Sequence, residues 1–461
     1  MAVPPLGRRV PAQPKKSRPS KPAKRTSSVR HTRAIQRDRT KRPVAPPPDE
    51  QVTQRLTELI HPATLAQLEY FRRLDLRKRV LTLPVMVALV LAMIWRQVAS
   101  VGELVRLLGR EGLLWLDGPV RVSQQALSQR LRTFPAELFL RVFEEVLPQL
   151  HARWQSRQRP LTPAITWAKA HYSSVLALDG STLDALLKKV GLLREAEKNP
   201  LAGRMAAVLD VASRLPQALW YEEDPQAHDQ RFWERAVATL AEGSLLLIDL
   251  GFTHFGHFAD LTRRQVTFIT RAKSNLRFEV ERWLQKGPQL QEALLFIGSG
   301  KERQKVRRVQ VLVGRVWHRY LTNELDPERL PAPYVAALYG ERWRIEDAYA
   351  AVKRLLGLAY FWVGSHNGVQ LQLWATWLLY AVLVDLTDAV AERLGRPFAD
   401  LSLEMVYRAL PYFVSAHHRG EASDPVAFLA ADANFMGVLK RERKSRPKPI
   451  LQRLLTIPAA P

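Results

Sequence analysis

The chain contains no cysteine. That absence excludes a disulfide scaffold, a Cys-ligated zinc site and a thiol nucleophile, and it fits an intracellular, cytoplasmic setting. Long hydrophobic runs are also lacking. The longest, Val80 to Trp95, has 16 residues, contains Pro84 and is flanked by Arg77, Lys78, Arg79 and Arg96. A membrane span needs about 20 apolar residues, so this run reads as a helix buried in protein. A second run, from Trp374 to Val384, is shorter and ends at Asp385. No membrane partner is expected. Acidic residues are scarce as well: 44 Asp and Glu stand against 69 Lys and Arg, a formal net charge of +25. Such a surplus calls for a polyanionic partner. With no membrane-binding helix in sight, the partner is nucleic acid.

What is present is otherwise ordinary for a globular protein. The 461 residues are 47% hydrophobic and 25% charged, and a prior of roughly 150 residues per domain suggests two to four domains. The charge is unevenly spread. Residues 1–42 hold 14 Lys or Arg against the single acid Asp38, and ten prolines occur by Pro48. A segment so poor in apolar residues buries too little surface to offset the entropy of ordering, so 1–48 is expected to be a disordered basic tail. It lacks the apolar core of a secretory signal. Counterion release would let it hold DNA without reading sequence; a solvated, solubilising tail is the plainer alternative.

Residues 49–160 show helical spacing, as in RLTELIHPATLAQLEYF and VGELVRLL. Ser100 and Ser123 are placed to cap helices. The second of these runs to about Thr133 and carries Gln124, Gln125, Gln129, Arg130 and Arg132, a face suited to a DNA groove. The connection before it, GREGLLWLDGPVRV, is far longer than a helix-turn-helix allows, and an amphipathic helix with a solvated face fits equally well. The region is read as a helical N-terminal domain that contacts DNA. From about residue 165 the rhythm becomes strand, hairpin, helix, strand, an α/β pattern over 165–265. Four strand-like runs then follow between 266 and 325, with Lys301, Arg303, Lys305, Arg307, Arg308, Arg315 and Arg319 among them. They suggest a mostly β insertion, followed by helices over 326–388 and a helical C-terminal region with a basic tail over 389–461.

Two acids close strand-like runs, Asp179 after SSVLAL and Asp249 after SLLLI. Loops leaving that edge of an α/β sheet commonly build a site, and paired carboxylates favour a hard divalent cation. A third element is sharper. On one regular helix at about 100° per residue, Tyr339, Arg342, Glu346 and Lys353 of YGERWRIEDAYAAVK fall within an arc of about 60°. A core stripe would be aliphatic. A salt-bridged surface face accounts for the charges but not for the tyrosine.

These residues resemble the insertion-sequence-four family of DDE transposases. The order Tyr339, Arg342, Glu346, Lys353 matches its YREK signature, LALDGSTLD and IDLGFTHFGHFADL resemble its two acidic motifs, and YLTNEL precedes the signature helix as in relatives. The resemblance spans roughly 173–385, with gaps of 70 and 97 residues between the three acids; Leu250 departs from relatives, which often place a basic residue there. It implies a ribonuclease-H-like mixed sheet interrupted by the β insertion. It further implies that Asp179, Asp249 and Glu346 bind two Mg²⁺ or Mn²⁺ ions, and that Tyr339, Arg342 and Lys353 hold DNA phosphates. Trp317 in the insertion is the candidate to stack on a flipped base, with Trp283 a weaker one. The implied reaction cuts insertion-sequence ends and joins them to target DNA, cut-and-paste and with a hairpin as one route, in a homodimer on double-stranded DNA. Two other readings fit the same residues: an inactive DNA-binding or regulatory derivative, and a metal-dependent nuclease without strand transfer. His254 and His257 are assigned to no site, Asp210 reads as structural, and Asp184 stands as a backup ligand.

Overall fold

In the computed structural model the described residues are 50–74, 81–98, 100–110, 119–183, 203–224, 227–273, 275–358, 361–362 and 365–441. The basic tail and Asp184 therefore lie outside them. The expected N-terminal helices form: α1 (Glu50–Ala66), α2 (Leu68–Arg73), α3 (Leu83–Trp95), α4 (Val101–Leu108), α5 (Gln124–Thr133), α6 (Glu137–Ser156) and α7 (Pro163–His171). Ser100 and Ser123 do cap α4 and α5, accepting from the Glu103 and Ala126 N–H groups. On α5, Leu127 and Leu131 are buried and Gln125, Gln129 and Arg132 exposed. Arg130 turns away from that polar face and donates to the Leu81 carbonyl at 3.1 Å.

Among the described residues, nine strands make one sheet in the order β3-β2-β1-β4-β5-β9-β8-β7-β6. They are β1 (Val175–Thr182), β2 (Arg204–Asp210), β3 (Pro216–Glu222), β4 (Leu245–Ile248), β5 (Thr267–Arg271), β6 (Phe278–Lys286), β7 (Leu290–Ile297), β8 (Gln304–Val313) and β9 (Val316–Thr322). The first three form an antiparallel meander; β4 and β5 then run parallel to β1. This is the ribonuclease-H-like arrangement. The central strands are apolar on both faces, VLAL in β1 and LLLI in β4, as expected for parallel strands covered on both sides. The hairpin between β2 and β3 is closed by Asp210, whose carboxylate accepts from the Ala212 and Ser213 N–H groups, and by Arg214 at φ 62°. Asp210 is thus structural, as its sequence position suggested.

Three features differ from the sequence reading. First, β5 lies in the 266–325 segment yet pairs with β4, so core and insertion share one uninterrupted sheet. Second, the edge strand β6 was not anticipated. Its sequence FEVERWLQK mixes charge and aromatics, and two register shifts against β7 break its alternation. Third, the apolar run after Trp374 is part of a 29-residue helix, α12 (His366–Leu394), which continues past Asp385. By length and composition α12 is able to cross a membrane, but 94% of its apolar window is buried inside protein. Asp385 and Asp388 on it are neutralised by Arg157 and Arg159 at the end of α6.

The remaining helices are α8 (Trp233–Val237), α9 (Phe255–Arg263), α10 (Ala332–Glu341), α11 (Trp343–Ala350), α13 (Leu403–His418) and α14 (Pro425–Ala431). One face of the sheet packs with α10, α11, α12 and the N-terminal helices in a single large apolar cluster; the other face packs on α8 and α9. Both terminal helical regions therefore bear on the face that carries the acids.

Candidate active site

The sheet register brings the two aspartates together. Leu178 of β1 pairs with Ile248 of β4 in the parallel ladder, so the next residues, Asp179 and Asp249, stand level on neighbouring strands, about 4.8 Å apart along the ladder direction. Alternate residues of a strand share a face. Val175, Ala177, Leu245 and Leu247 belong to the cluster beneath α10 and α11, which puts both acids on that face too. Asp179 does not end its strand, as β1 runs on to Thr182. Asp249 does end its strand and opens a 3₁₀ turn, Leu250–Phe252.

Glu346 comes from α11, which packs on β1. Tyr339, Arg342, Glu346 and Lys353 do not lie on one regular helix. Around Arg342 the winding tightens: its N–H bonds the Tyr339 carbonyl at 3.2 Å, and the Ile345 N–H bonds the Arg342 carbonyl at 3.1 Å, both three-residue steps. Past α11 the winding loosens into a π-helical turn, Ala351–Leu355. Such irregular turns re-aim side chains and concentrate at functional sites. Here they aim Arg342 into the acids and Lys353 on to the end of β1.

Arg342 is the hub. Its Nη1 donates to Asp179 Oδ2 at 3.1 Å and lies 3.8 Å from Glu346 Oε1, while Nη2 is 3.6 Å from Asp249 Oδ1. Asp179 is the most enclosed acid, its side chain 11% exposed against 40% for Asp249 and 42% for Glu346. The latter two therefore open the cluster to solvent. Burial, with repulsion from Glu346 added, pushes the Asp179 carboxyl up to about 8 despite Arg342. Asp179 Oδ1 also accepts from the Gly180 N–H at 2.8 Å. Among the described residues, no three His, Asp or Glu side chains stand close enough to form a metal cage as they are; the three carboxylates converge on the guanidinium.

Tyr339 is buried beside Arg342, whose guanidinium carbon lies 5.8 Å from the ring centre, and its ring meets Tyr320 of β9 at 5.3 Å. Burial pushes its phenol up to about 12. Lys353 is buried and donates to Ser181 Oγ and the Thr182 carbonyl, both at 2.6 Å. Trp317 is half-buried on β9, opposite Leu312. Because Arg271 pairs with Tyr320, the β8–β9 hairpin overhangs the same sheet edge as the acids. Trp317 lies three residues past that level, about 10 Å. Trp283 is on the far edge strand β6, between Lys286 and Arg308. His254 caps α9 and His257 stacks on Trp233.

Two residues at the site escaped the sequence reading. Tyr349 is fully buried and its hydroxyl donates to the Asp179 carbonyl at 2.7 Å; burial first, then Asp179, holds its phenol far above the ordinary range. Its spacing of three from Glu346 was the available signal. Trp343 is 60% exposed, an uncommon cost for the largest apolar side chain, and lies 5.5 Å from the Arg342 guanidinium.

Residues 173–382 match the family described as "Transposase DDE domain". The matched stretch includes Asp179, Asp249, Arg342, Glu346 and Lys353, together with the whole β insertion. A putative transposase, y4zB, of Sinorhizobium fredii (strain NBRC 101917 / NGR234) is 28% identical over 201 residues. That stretch is 42% of this chain and 54% of the relative, so the chain spans about half the length of the curated relative it matches. Among solved structures, the piggyBac transposase synaptic complex with hairpin DNA, determined by cryo-EM, aligns over 87% of this chain and 86% of that one, with a TM-score of 0.37 and 11% identity.

Proposed function

We propose that this chain is a DNA transposase of the insertion-sequence-four kind, which cuts the ends of its element and joins them to target DNA. The observation that carries the reading is the convergence of Asp179, Asp249 and Glu346 on Arg342 at one sheet edge, within residues similar to the transposase DDE domain. The donor set fits hard divalent cations: three carboxylates and no nitrogen or sulfur ligand. Burial first, and then Glu346, disfavours the charge on Asp179, and a bound cation would offset both. Asp179, Asp249 and Glu346 would hold the ions. Two Mg²⁺ or Mn²⁺ ions would stabilise charge on the attacking and departing oxygens of a phosphodiester.

The chain's own groups then have separate tasks. Arg342 is a planar guanidinium able to grip a phosphate bidentately once it leaves the carboxylates. Tyr339 supports its position. Lys353 and Tyr349 fix the end of β1, so that Asp179 meets the backbone of DNA at a constant angle. The exposed Trp343 ring and the overhanging Trp317 offer stacking surfaces for unpaired bases at an element end. In the first step, water attacks the phosphodiester at the element end and a 3′-hydroxyl departs. In the second, that 3′-hydroxyl attacks a phosphodiester of the opposite strand, giving a hairpin, or of the target, joining the two DNAs. Each attack forms one P–O bond and breaks one, so no outside energy source is needed. Joining two ends to one target calls for at least two such sites, hence a homodimer on double-stranded DNA.

The test is cleavage of a labelled duplex carrying the element's own end, with Mg²⁺ or Mn²⁺. Wild type nicks it in a metal-dependent way; Glu346→Gln binds the duplex and does not nick. Equal cleavage by both proteins removes Glu346 from the triad. Binding without cleavage by wild type favours an inactive DNA-binding derivative, and cleavage without joining of a pre-cut end favours a nuclease.

A further inference from the structure

Asp229 lies outside every recognised motif, yet it stands between the two segments that bear the aspartates. It opens a 3₁₀ turn, Asp229–Phe232, which packs against the turn Leu250–Phe252 that follows Asp249. A Cβ placed on Gly180 would sit 2.0 Å from Asp229 Oδ1, and one on Gly251 would sit 2.8 Å from Asp229 Oδ2. A single carboxylate thus covers both glycines, one oxygen over each. Neither glycine adopts a positive φ, so both serve close approach and not a backbone shape reserved to glycine. Gly180 is the residue whose N–H holds the Asp179 carboxylate, and Gly251 is two residues past Asp249. Arg204, on β2, pins the wedge through an ion pair to Asp229 Oδ1, with both side chains largely buried.

We infer that Asp229 is a positioning residue: clamped by Arg204, its carboxylate braces the end of β1 against the segment after β4 and holds Asp179 and Asp249 level with each other on neighbouring strands. Two adjacent carboxylates, one of them buried, repel and tend to splay the strand ends. A rigid contact to both backbones opposes that splaying without itself touching a substrate. The inference rests on the triad reading above. It also explains why glycine follows Asp179 at a position where the strand geometry alone would accept any residue.

The test uses the full chain without DNA and Mn²⁺ as the probe, followed by electron paramagnetic resonance of free Mn²⁺, with Asp179→Asn as the control for site occupancy. Asp229→Asn keeps the shape but loses the ion pair, and it weakens Mn²⁺ binding by about tenfold or more, the size of effect seen when groups that orient metal ligands are removed. Gly180→Ala displaces the carboxylate and does the same. The double variant Gly180→Ala/Asp229→Asn binds no more weakly than the worse single variant, because both remove one brace. Wild-type affinity in Asp229→Asn, or losses that multiply in the double variant, overturns the inference. Amide hydrogen exchange supplies a readout independent of metal: Asp229→Asn accelerates exchange at Gly180 and over 250–252. Should wild type bind no Mn²⁺, the metal reading falls alone, and unchanged exchange in Asp229→Asn then overturns the brace.

Discussion

Asp179 shows how one residue can be set by conflicting forces. Burial and Glu346 disfavour its charge, while Arg342 favours it, and burial wins: the carboxyl titrates at about 8 instead of 3.8. The folded state therefore holds this proton more tightly than the unfolded chain. That contribution to stability is complete below about pH 3.8 and is lost as pH rises through about 8. Metal-free protein in EDTA accordingly becomes less stable across this interval. Asp179→Asn, neutral at every pH, escapes the loss, so its melting temperature exceeds that of wild type by a margin that widens toward pH 8. Thermal denaturation at several pH values checks this; parallel profiles for the two proteins would show that another group titrates. The three acids and Arg342 were legible in the sequence because motif spacing carries them. Tyr349 and Asp229 were not, because each acts through a contact to a glycine or carbonyl tens to hundreds of residues away.

At the scale of elements, α12 is organised by the clasp at its C-terminal half. Arg157 Nη1 donates to Asp388 Oδ2 at 3.0 Å and Arg159 Nε to Oδ1 at 2.5 Å, with Asp388 and Arg159 almost wholly buried. Removing one member of a buried pair leaves the other charge uncompensated, at a cost of about 3–5 kcal/mol. Asp388→Ala lowers the stability by that amount, read as a shift of the urea midpoint, and adding Arg159→Met restores part of it. A midpoint unchanged by Asp388→Ala would show that water reaches Arg159. The clasp also explains why a helix apolar enough for a membrane lies in a protein core: its acids are satisfied by arginines that follow directly on α6. The signature segment was legible as helical, but its tight turn at Arg342 and π-helical turn at 351–355 were not. Helix propensity is local, whereas these distortions follow from where Asp179, Ser181 and Thr182 sit on another element.

For the whole molecule, the uninterrupted nine-stranded sheet gives the β insertion a rigid tie to the edge that carries the acids. β5 pairs on one side with β4 and on the other with β9, so the β8–β9 hairpin cannot move without its neighbour. The charge is a property of the same scale. Residues 1–42 supply 13 of the 25 net positive charges. For B-DNA, log K falls with log salt at a slope of about −0.9 per phosphate neutralised. Deleting 1–42 flattens that slope by several units for a random duplex, measured by fluorescence anisotropy between low and physiological salt. A slope unchanged by the deletion would mean that the remaining surface makes all the phosphate contacts.

Composition and motif order by themselves determined the net positive charge, the α/β class, and which three acids and which arginine come together, since charge and spacing are properties of the chain alone. The register Leu178 to Ile248, which sets Asp179 level with Asp249, was decided only by the tertiary structure, as were the diversion of Lys353 to the end of β1 and the seat of Asp229 over two glycines. Strand register and buried polar partnerships depend on which distant segments exclude water together, and no local pattern records that.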